Sequence, residues 1–167
     1  MLRPRYHEQR AVEPLGILLL PCRLEDFELA DHARDLLSIP RVVAVEPPQR
    51  RPPRFLRHSL PARHARRLRF PGQPRVVVLY DPMQYPLARA LLARHDAAEL
   101  WYIGRDGVQI TDVPGYDREE LIELDQLARA RARQTIGRGD DALRYRLREL
   151  EIISPRPFVP GARIQTR

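Results

Sequence analysis

The stretch PRVVVLYDPMQYPLARALLARHDAAELWYI, residues 74–103, decides the fold. It opens with an apolar, Val-rich run that predicts a strand, and Pro86 then suits the first turn of an Ala- and Leu-rich helix. The stretch ends on AELWYI, which predicts a second strand. A strand, a helix and a strand in this order build parallel α/β sheets, so the sequence predicts a right-handed crossover here.

The chain before this unit shows the same alternation. GILLLPC, residues 16–22, is apolar on both faces, as expected of a strand buried in a parallel sheet. Residues 24–39 have helical periodicity and end before Pro40, and RVVAVEP from Arg41 predicts the next strand. One face of the helix is expected to carry Phe27, Ala30, Ala33, Leu36 and Leu37. The first and third strands are the most continuously apolar, so we expect them at the centre of the sheet.

The second half of the chain departs from this alternation. Asp106-Gly107 is typical of a type I′ hairpin, which predicts an antiparallel neighbour for the fourth strand. Two helices follow, the first running from a capping box at Asp117 to Gly137, the second capped by Asp140. The second helix carries a stripe formed by Leu143, Leu147 and Leu150.

These elements predict an α/β fold with a Rossmann-like, mainly parallel sheet of four or five strands, flanking helices and an extended C-terminal tail. We divide the chain into a polar leader (1–14), a single α/β domain (15–153) with an Arg-rich insertion (47–74), and a Pro-rich tail (154–167). With 43% hydrophobic and 31% charged residues, the composition excludes collagen-like, wholly disordered and polytopic membrane proteins.

Positive charge is concentrated in one segment. All 29 basic side chains are Arg, a bias that GC-rich codons would produce, but residues 47–80 hold nine of them and no acid, and therefore account for the net charge of +7. We expect this segment to bind an anionic membrane surface, with its interleaved apolar residues inserting shallowly. A solvated loop shaped by codon bias is the plain alternative. The Arg residues assigned to this binding are Arg54, Arg57, Arg63, Arg66, Arg67 and Arg69.

Candidate ligand-binding residues follow from the sheet. In an open α/β sheet, ligands bind beyond the carboxyl ends of the strands, near the point where strand order reverses. Asp81 there would accept a hydrogen bond from a sugar hydroxyl or act as a base, although Asp-Pro also commonly ends a strand. Gln84 and Tyr85 lie where a helix begins, whose positive end favours an anion. The full predicted set is Pro21, Cys22, Glu46, Asp81, Gln84, Tyr85 and Arg105.

The sequence lacks the motifs of several functional classes. The turn LPCRLED after the first strand has no Gly fingerprint for a dinucleotide, and the chain has no P-loop and no Lys, which also excludes a phospho-accepting receiver domain. Cys22 has no His placed to activate it, and His58 and His64 lack carboxylate partners, so we expect no cofactor and no metal and assign no catalytic residue. A single Cys cannot form an internal disulfide, which fits the cytoplasm.

The segment LYDPMQYPLARALLARHDAAELWYIGRD, residues 79–106, resembles the first domain of bacterial glycosyltransferases of the GT-B type. In these enzymes, which have two Rossmann-like domains, a strand ending in a polar turn precedes a similar helix and strand. The resemblance implies an acceptor-side domain that binds a sugar or a lipid phosphate, peripheral to the inner membrane face. It also implies a second glycosyltransferase domain or subunit as the donor-binding partner, without which the chain is incomplete as an enzyme.

A second function comes from a different class. Nine Arg would bind phosphates through counterion release, which favours a non-enzymatic module that binds nucleic acid through the Arg-rich segment. The sequence holds no RNA-binding motif, and the only aromatic residues of the segment are Phe55, Phe70 and Tyr80. We therefore favour the glycosyltransferase-like domain.

Overall fold

A computed structural model of the chain describes residues 13–21, 27–46, 59–103, 116–135 and 141–153. The strands are Pro14–Leu19 (β1), Val42–Val45 (β2), Gln73–Leu79 (β3), Glu99–Tyr102 (β4) and Gln134–Thr135 (β5). The helices are Phe27–Leu37 (α1), Ser59–Arg67 (α2), Tyr85–Leu92 (α3), Arg118–Arg131 (α4) and Asp141–Glu149 (α5), with a 3₁₀ turn at Pro82–Gln84. The predicted α/β, Rossmann-like fold is confirmed.

The five strands form one sheet in the order β2-β1-β3-β4-β5, and each neighbouring pair is parallel. β1 and β3 lie inside the sheet, as their continuous apolar runs predicted. Residues 15–19 and 76–79 are buried. Because the chain passes from β1 to one side of the sheet and returns to the other side with β3, the order of the strands reverses between β1 and β3.

Helices cover both faces of the sheet. Ala33 of α1 and Leu147 of α5 pack with Val76 on one face. Ala65 of α2 packs on the other face, in a cluster that also contains residues of α3 and α4. This doubly wound arrangement is what right-handed crossovers on the two sides of β1 produce.

Trp101 and Tyr102 show the effect of this double cover. They point to opposite faces of β4, as strand alternation predicted, but both are buried, with 3% and 1% exposure. Both side chains are buried because each face of β4 carries a helix.

Burial at the end of α1 differs from what the helical periodicity of the sequence predicts. Leu37 was expected on the buried face, but it is 37% exposed. The helix ends at Leu37, and the turn that follows brings Ile39 into the core instead, at 7% exposure.

The end of α4 also differs. The helix ends at Arg131 rather than at Gly137, since Ala132 adopts an extended conformation with ψ 137°. The Arg133 N–H then donates to the Leu100 carbonyl at 2.9 Å, and β5 pairs with β4 in parallel. Because β3 and β5 flank β4 and both are parallel to it, the antiparallel neighbour predicted for the fourth strand is wrong. A strand of two residues has no periodicity to recognise, so the sequence did not predict it.

Part of the predicted insertion is a crossover helix. α2 connects β2 to β3, Ala65 is fully buried, and Leu68 and Phe70 pack partly against the core. Residues 59–70 therefore cover the sheet instead of projecting from it. The remainder of the Arg-rich segment (47–58), the hairpin at Asp106-Gly107, the Asp140 cap, residues 1–12 of the leader and the tail (154–167) lie outside the described residues.

A partly buried carboxylate joins α5 to the edge of the sheet. Glu99, at the start of β4, accepts hydrogen bonds from Trp101 Nε1 (2.8 Å), Arg146 Nε (2.9 Å) and Arg133 Nη1 (2.7 Å). Burial alone would raise the pKa of Glu99. The hydrogen bonds from Arg146 and Trp101 and the nearby positive charges outweigh burial, and the pKa of Glu99 lies below its ordinary value of 4.5.

We predict that Glu99→Gln lowers the free energy of unfolding by about 2 kcal/mol at pH 7, because charge-assisted hydrogen bonds are lost. The pKa of Glu99 is lower in the folded than in the unfolded chain. Its contribution is therefore complete above pH 4.5 and is lost as the pH falls through the folded-state pKa. Urea unfolding from pH 7 to pH 3 should show the difference between variant and parent shrinking below about pH 4.5.

Glu149→Gln is the matched control. Glu149 also accepts a hydrogen bond from Arg146, at 2.8 Å, but its side chain is 43% exposed. Its replacement should cost less than about 0.5 kcal/mol. A Glu99→Gln effect that is equally large at pH 3 and pH 7 would contradict the assignment.

Candidate functional site

The carboxyl ends of β1 and β3 form the edge at which the strand order reverses. Pro21 follows β1 and is buried, and Glu46 follows β2 and is exposed. Asp81, at 9% exposure, follows β3, with Gln84 in the 3₁₀ turn at 3% and Tyr85 at the start of α3 at 7%. Cys22 and Arg105 lie outside the described residues.

Gln84 joins the two central strands. Its Oε1 accepts hydrogen bonds from the backbone N–H of Tyr80 (2.8 Å) and of Asp81 (3.0 Å). Its Nε2 donates to the carbonyls of Leu19 (3.4 Å) and Leu20. Both ends of the amide are therefore occupied by backbone groups that the diverging strands would otherwise leave unpaired. We assign Gln84 as a positioning residue rather than a ligand contact, and call these four bonds the Gln84 bridge.

Tyr85 belongs to the core. Its side chain lies in the same apolar cluster as Leu87 and Leu91, which are the inward-facing residues of α3. Its placement follows from the helical period of the PLARALL segment. The structure therefore accounts for Tyr85 by packing.

Asp81 is held by the Gln84 bridge in a capping box that starts the 3₁₀ turn. Its charge is one of the causes that raise the pKa of Tyr102, which ends the neighbouring strand β4. Burial is the largest cause of that rise, followed by the hydrogen bond from the Tyr102 hydroxyl to Asp125. Tyr102 consequently stays neutral at physiological pH.

Two polar side chains of α4 lie beside Tyr102 at the end of β4. The Tyr102 hydroxyl donates to Asp125 Oδ1 at 2.6 Å, and Arg129 Nε donates to Asp125 Oδ2 at 2.7 Å. The Arg129 guanidinium also lies 5.5 Å from the centroid of the Tyr102 ring. Sequence reasoning missed this group because Asp125 and Arg129 have the spacing of an ordinary surface ion pair on a helix.

On the opposite face, His32 of α1 contacts the end of β3. Its Nδ1 shares a hydrogen bond of 2.8 Å with the Tyr80 hydroxyl, and the two rings meet edge to face with centroids 5.6 Å apart. Tyr80 and Asp81 are consecutive and belong to opposite faces of the sheet. The end of β3 therefore brings an imidazole, a phenol and a carboxylate to one edge. The only sequence signal for His32 was its place among the polar positions of α1.

The composition of this edge suits hydroxyl-bearing ligands better than metal ions. Carboxylate and imidazole groups exchange hydrogen bonds with hydroxyls. Within the described part of the chain, no group of three or more His, Cys, Asp or Glu side chains is arranged to hold a metal ion. None of the helices described there is long and apolar enough to cross a bilayer.

The other predicted residues lie elsewhere. Arg63, Arg66, Arg67 and Arg69 are exposed on α2 and just after it, whereas Arg54 and Arg57 lie outside the described residues. A cleft of about 200 Å³ lies at the opposite edge of the sheet, where Glu99 and Arg133 are among the lining residues. Glu99 and Arg133 already bind one another there.

Comparison of the chain with protein-family models, with curated proteins and with solved structures gives no match. Its function therefore has to be inferred from its own residues.

We predict that Gln84→Leu lowers the free energy of unfolding by about 2–4 kcal/mol, because the buried N–H groups of Tyr80 and Asp81 lose their acceptor. Urea unfolding measures the loss. Amide hydrogen exchange should be faster at Tyr80 and Asp81 than in the parent chain.

Gln126→Leu, on the exposed side of α4, is the control and should change stability by less than about 0.5 kcal/mol. A Gln84→Leu chain as stable as the parent would remove the positioning role.

Proposed function

We propose that this chain is a glycosyltransferase-like, acceptor-side α/β domain that binds a sugar acceptor at the carboxyl edge of its sheet and works with a donor-binding domain or subunit. The turn that contains Asp81 is the observation that supports the proposal most directly. It places a fixed carboxylate beside the point where strand order reverses, within the segment that resembles the glycosyltransferases.

Asp81 is the residue we assign to the acceptor. A carboxylate accepts a hydrogen bond from a sugar hydroxyl and can take up its proton when the oxygen attacks a donor sugar. The Gln84 bridge fixes the backbone on both sides of Asp81, which keeps the carboxylate in a constant position. Glu46, exposed beyond β2, adds a second hydrogen-bond acceptor along the same edge.

We assign the binding of the nucleotide-sugar donor to a partner because of the composition of the turn that follows β1. In nucleotide-binding α/β domains, Gly residues at this turn let backbone N–H groups approach the phosphates. The turn LPCRLED contains no Gly. We therefore expect this chain to bind acceptors in preference to nucleotide sugars.

We predict that simple glycosides, tested as a panel, perturb the backbone amide NMR signals of Leu20, Glu46 and Asp81. Asp81→Asn should weaken the binding of a responding glycoside by about tenfold or more, since one charge-assisted hydrogen bond is lost. Chemical-shift titration gives both the site and the affinity.

Asp31→Asn serves as the control, because Asp31 is an exposed carboxylate on α1 paired with Arg34. It should leave the affinity unchanged. Three results would contradict the proposal: perturbations confined to another surface, equal affinity in the parent and Asp81→Asn, or a nucleotide sugar that binds more tightly than every glycoside.

A further inference from the structure

Four exposed Arg side chains lie close together in sequence on α2 and just after it. We call Arg63, Arg66, Arg67 and Arg69 the α2 basic face. Among the described residues, none of the four has a carboxylate within salt-bridge distance. From residue 59 to residue 95 the chain contains one acid, Asp81, which is buried at the end of β3.

Elsewhere the described Arg side chains commonly have acidic partners. Arg34 pairs with Asp31, Arg129 with Asp125, and Arg144 with Asp35. Arg146 and Arg133 share Glu99. Among the described residues, the α2 basic face is thus a surface without acidic partners, whereas several Arg side chains elsewhere are neutralised, and such a surface attracts anions.

The helix dipole does not account for the four Arg side chains. Basic residues in the last turn of a helix often compensate its terminal carbonyls. Here Arg94, which follows α3, already does so: its Nη1 donates to the carbonyls of Ala65 and Leu68. The carbonyl end of α2 is therefore supplied with a donor from outside the basic face.

The face is also rigidly supported. Ala65 is fully buried beneath α2, and Leu68 and Phe70 pack partly against the core, so the Arg side chains project from a fixed helix. The same packing removes these two apolar side chains from any membrane insertion, contrary to our expectation from sequence. Large hydrophobic residues that are exposed in the described chain lie on α1, α4 and α5.

The surroundings favour lipid phosphates over nucleic acid. Proteins that bind single strands combine basic grooves with exposed aromatic rings on which bases stack. Phe70, the aromatic residue next to this face, is partly buried and meets the edge of His95 with ring centroids 5.9 Å apart. Its ring is engaged in packing, so within the described residues the face offers charge without an exposed ring on which a base could stack.

We propose that the α2 basic face docks the protein reversibly onto a membrane of anionic lipids through electrostatic attraction, without insertion. This inference does not depend on which ligand the carboxyl edge binds. Because the attraction acts through solvent, it weakens as salt is raised. Each Arg near such a surface contributes about a fivefold factor in affinity.

The test is cosedimentation of the full chain with vesicles of phosphatidylglycerol and phosphatidylcholine, compared with vesicles of phosphatidylcholine alone. The variant R63Q/R66Q/R67Q/R69Q should bind anionic vesicles several hundredfold more weakly, and R66Q/R67Q about 25-fold more weakly. Gln is chosen because it keeps helix propensity close to that of Arg. Far-UV circular dichroism verifies that each variant is folded.

The matched control is R34Q/R118Q/R131Q/R148Q, which removes the same charge from exposed positions on other helices. Binding kept in the control and lost in the α2 variants supports the proposal. Equal losses in both sets overturn it in favour of net charge, and binding kept in the α2 variants overturns the assignment of the face. Binding to a single-stranded RNA oligonucleotide without vesicle binding overturns it in favour of nucleic acid, and no binding to either rejects it.

Discussion

A parallel sheet has to be covered on both faces, and most of this structure follows from that requirement. Parallel neighbours cannot be joined by tight turns, so every connection crosses a face of the sheet. β1 and β3, at the centre, are apolar on both sides as a result. Because the sheet needs this cover, α2 packs on it through Ala65 despite its charge. Trp101 and Tyr102 are both buried for the same reason.

The reversal of strand order lies at the carboxyl ends of the two central strands. Between β1 and β3 the chain leaves in opposite directions, and backbone groups at both strand ends lose their partners in the sheet. The Gln84 bridge satisfies them with one amide side chain, joining the carbonyls of Leu19 and Leu20 to the N–H groups of Tyr80 and Asp81. Gln84 is thus committed to the backbone and Tyr85 to the core, and we assign Asp81 and Glu46 to the ligand that we propose for this edge.

The sequence predicted what local patterns encode and missed what distant pairing decides. Runs such as VVVL and ILLL predict buried strands, and Pro86 predicts the start of α3. Leu37 departed from its helical pattern because the helix stops there. β5 was missed because a pairing with β4 defines it. The roles of Gln84 and Glu99 depend on partners 65 and 47 residues away, Leu19 and Arg146, which no local period can reveal.

Codon bias and function affect the Arg residues in different ways. The ion pairs of the described residues help to distinguish the two effects. A GC-rich genome raises the number of Arg codons throughout a chain, but it does not determine where acids are placed opposite them. Asp31, Asp35, Glu99 and Asp125 each face an Arg in the described structure, so several Arg side chains of α1, α4 and α5 are neutralised. Among the described residues, none of the four Arg side chains of the α2 basic face is paired in this way. A GC-rich genome would account for the abundance of Arg but not for the absence of acids from residue 59 to residue 80, and the anionic membrane surface that we propose would supply that compensation.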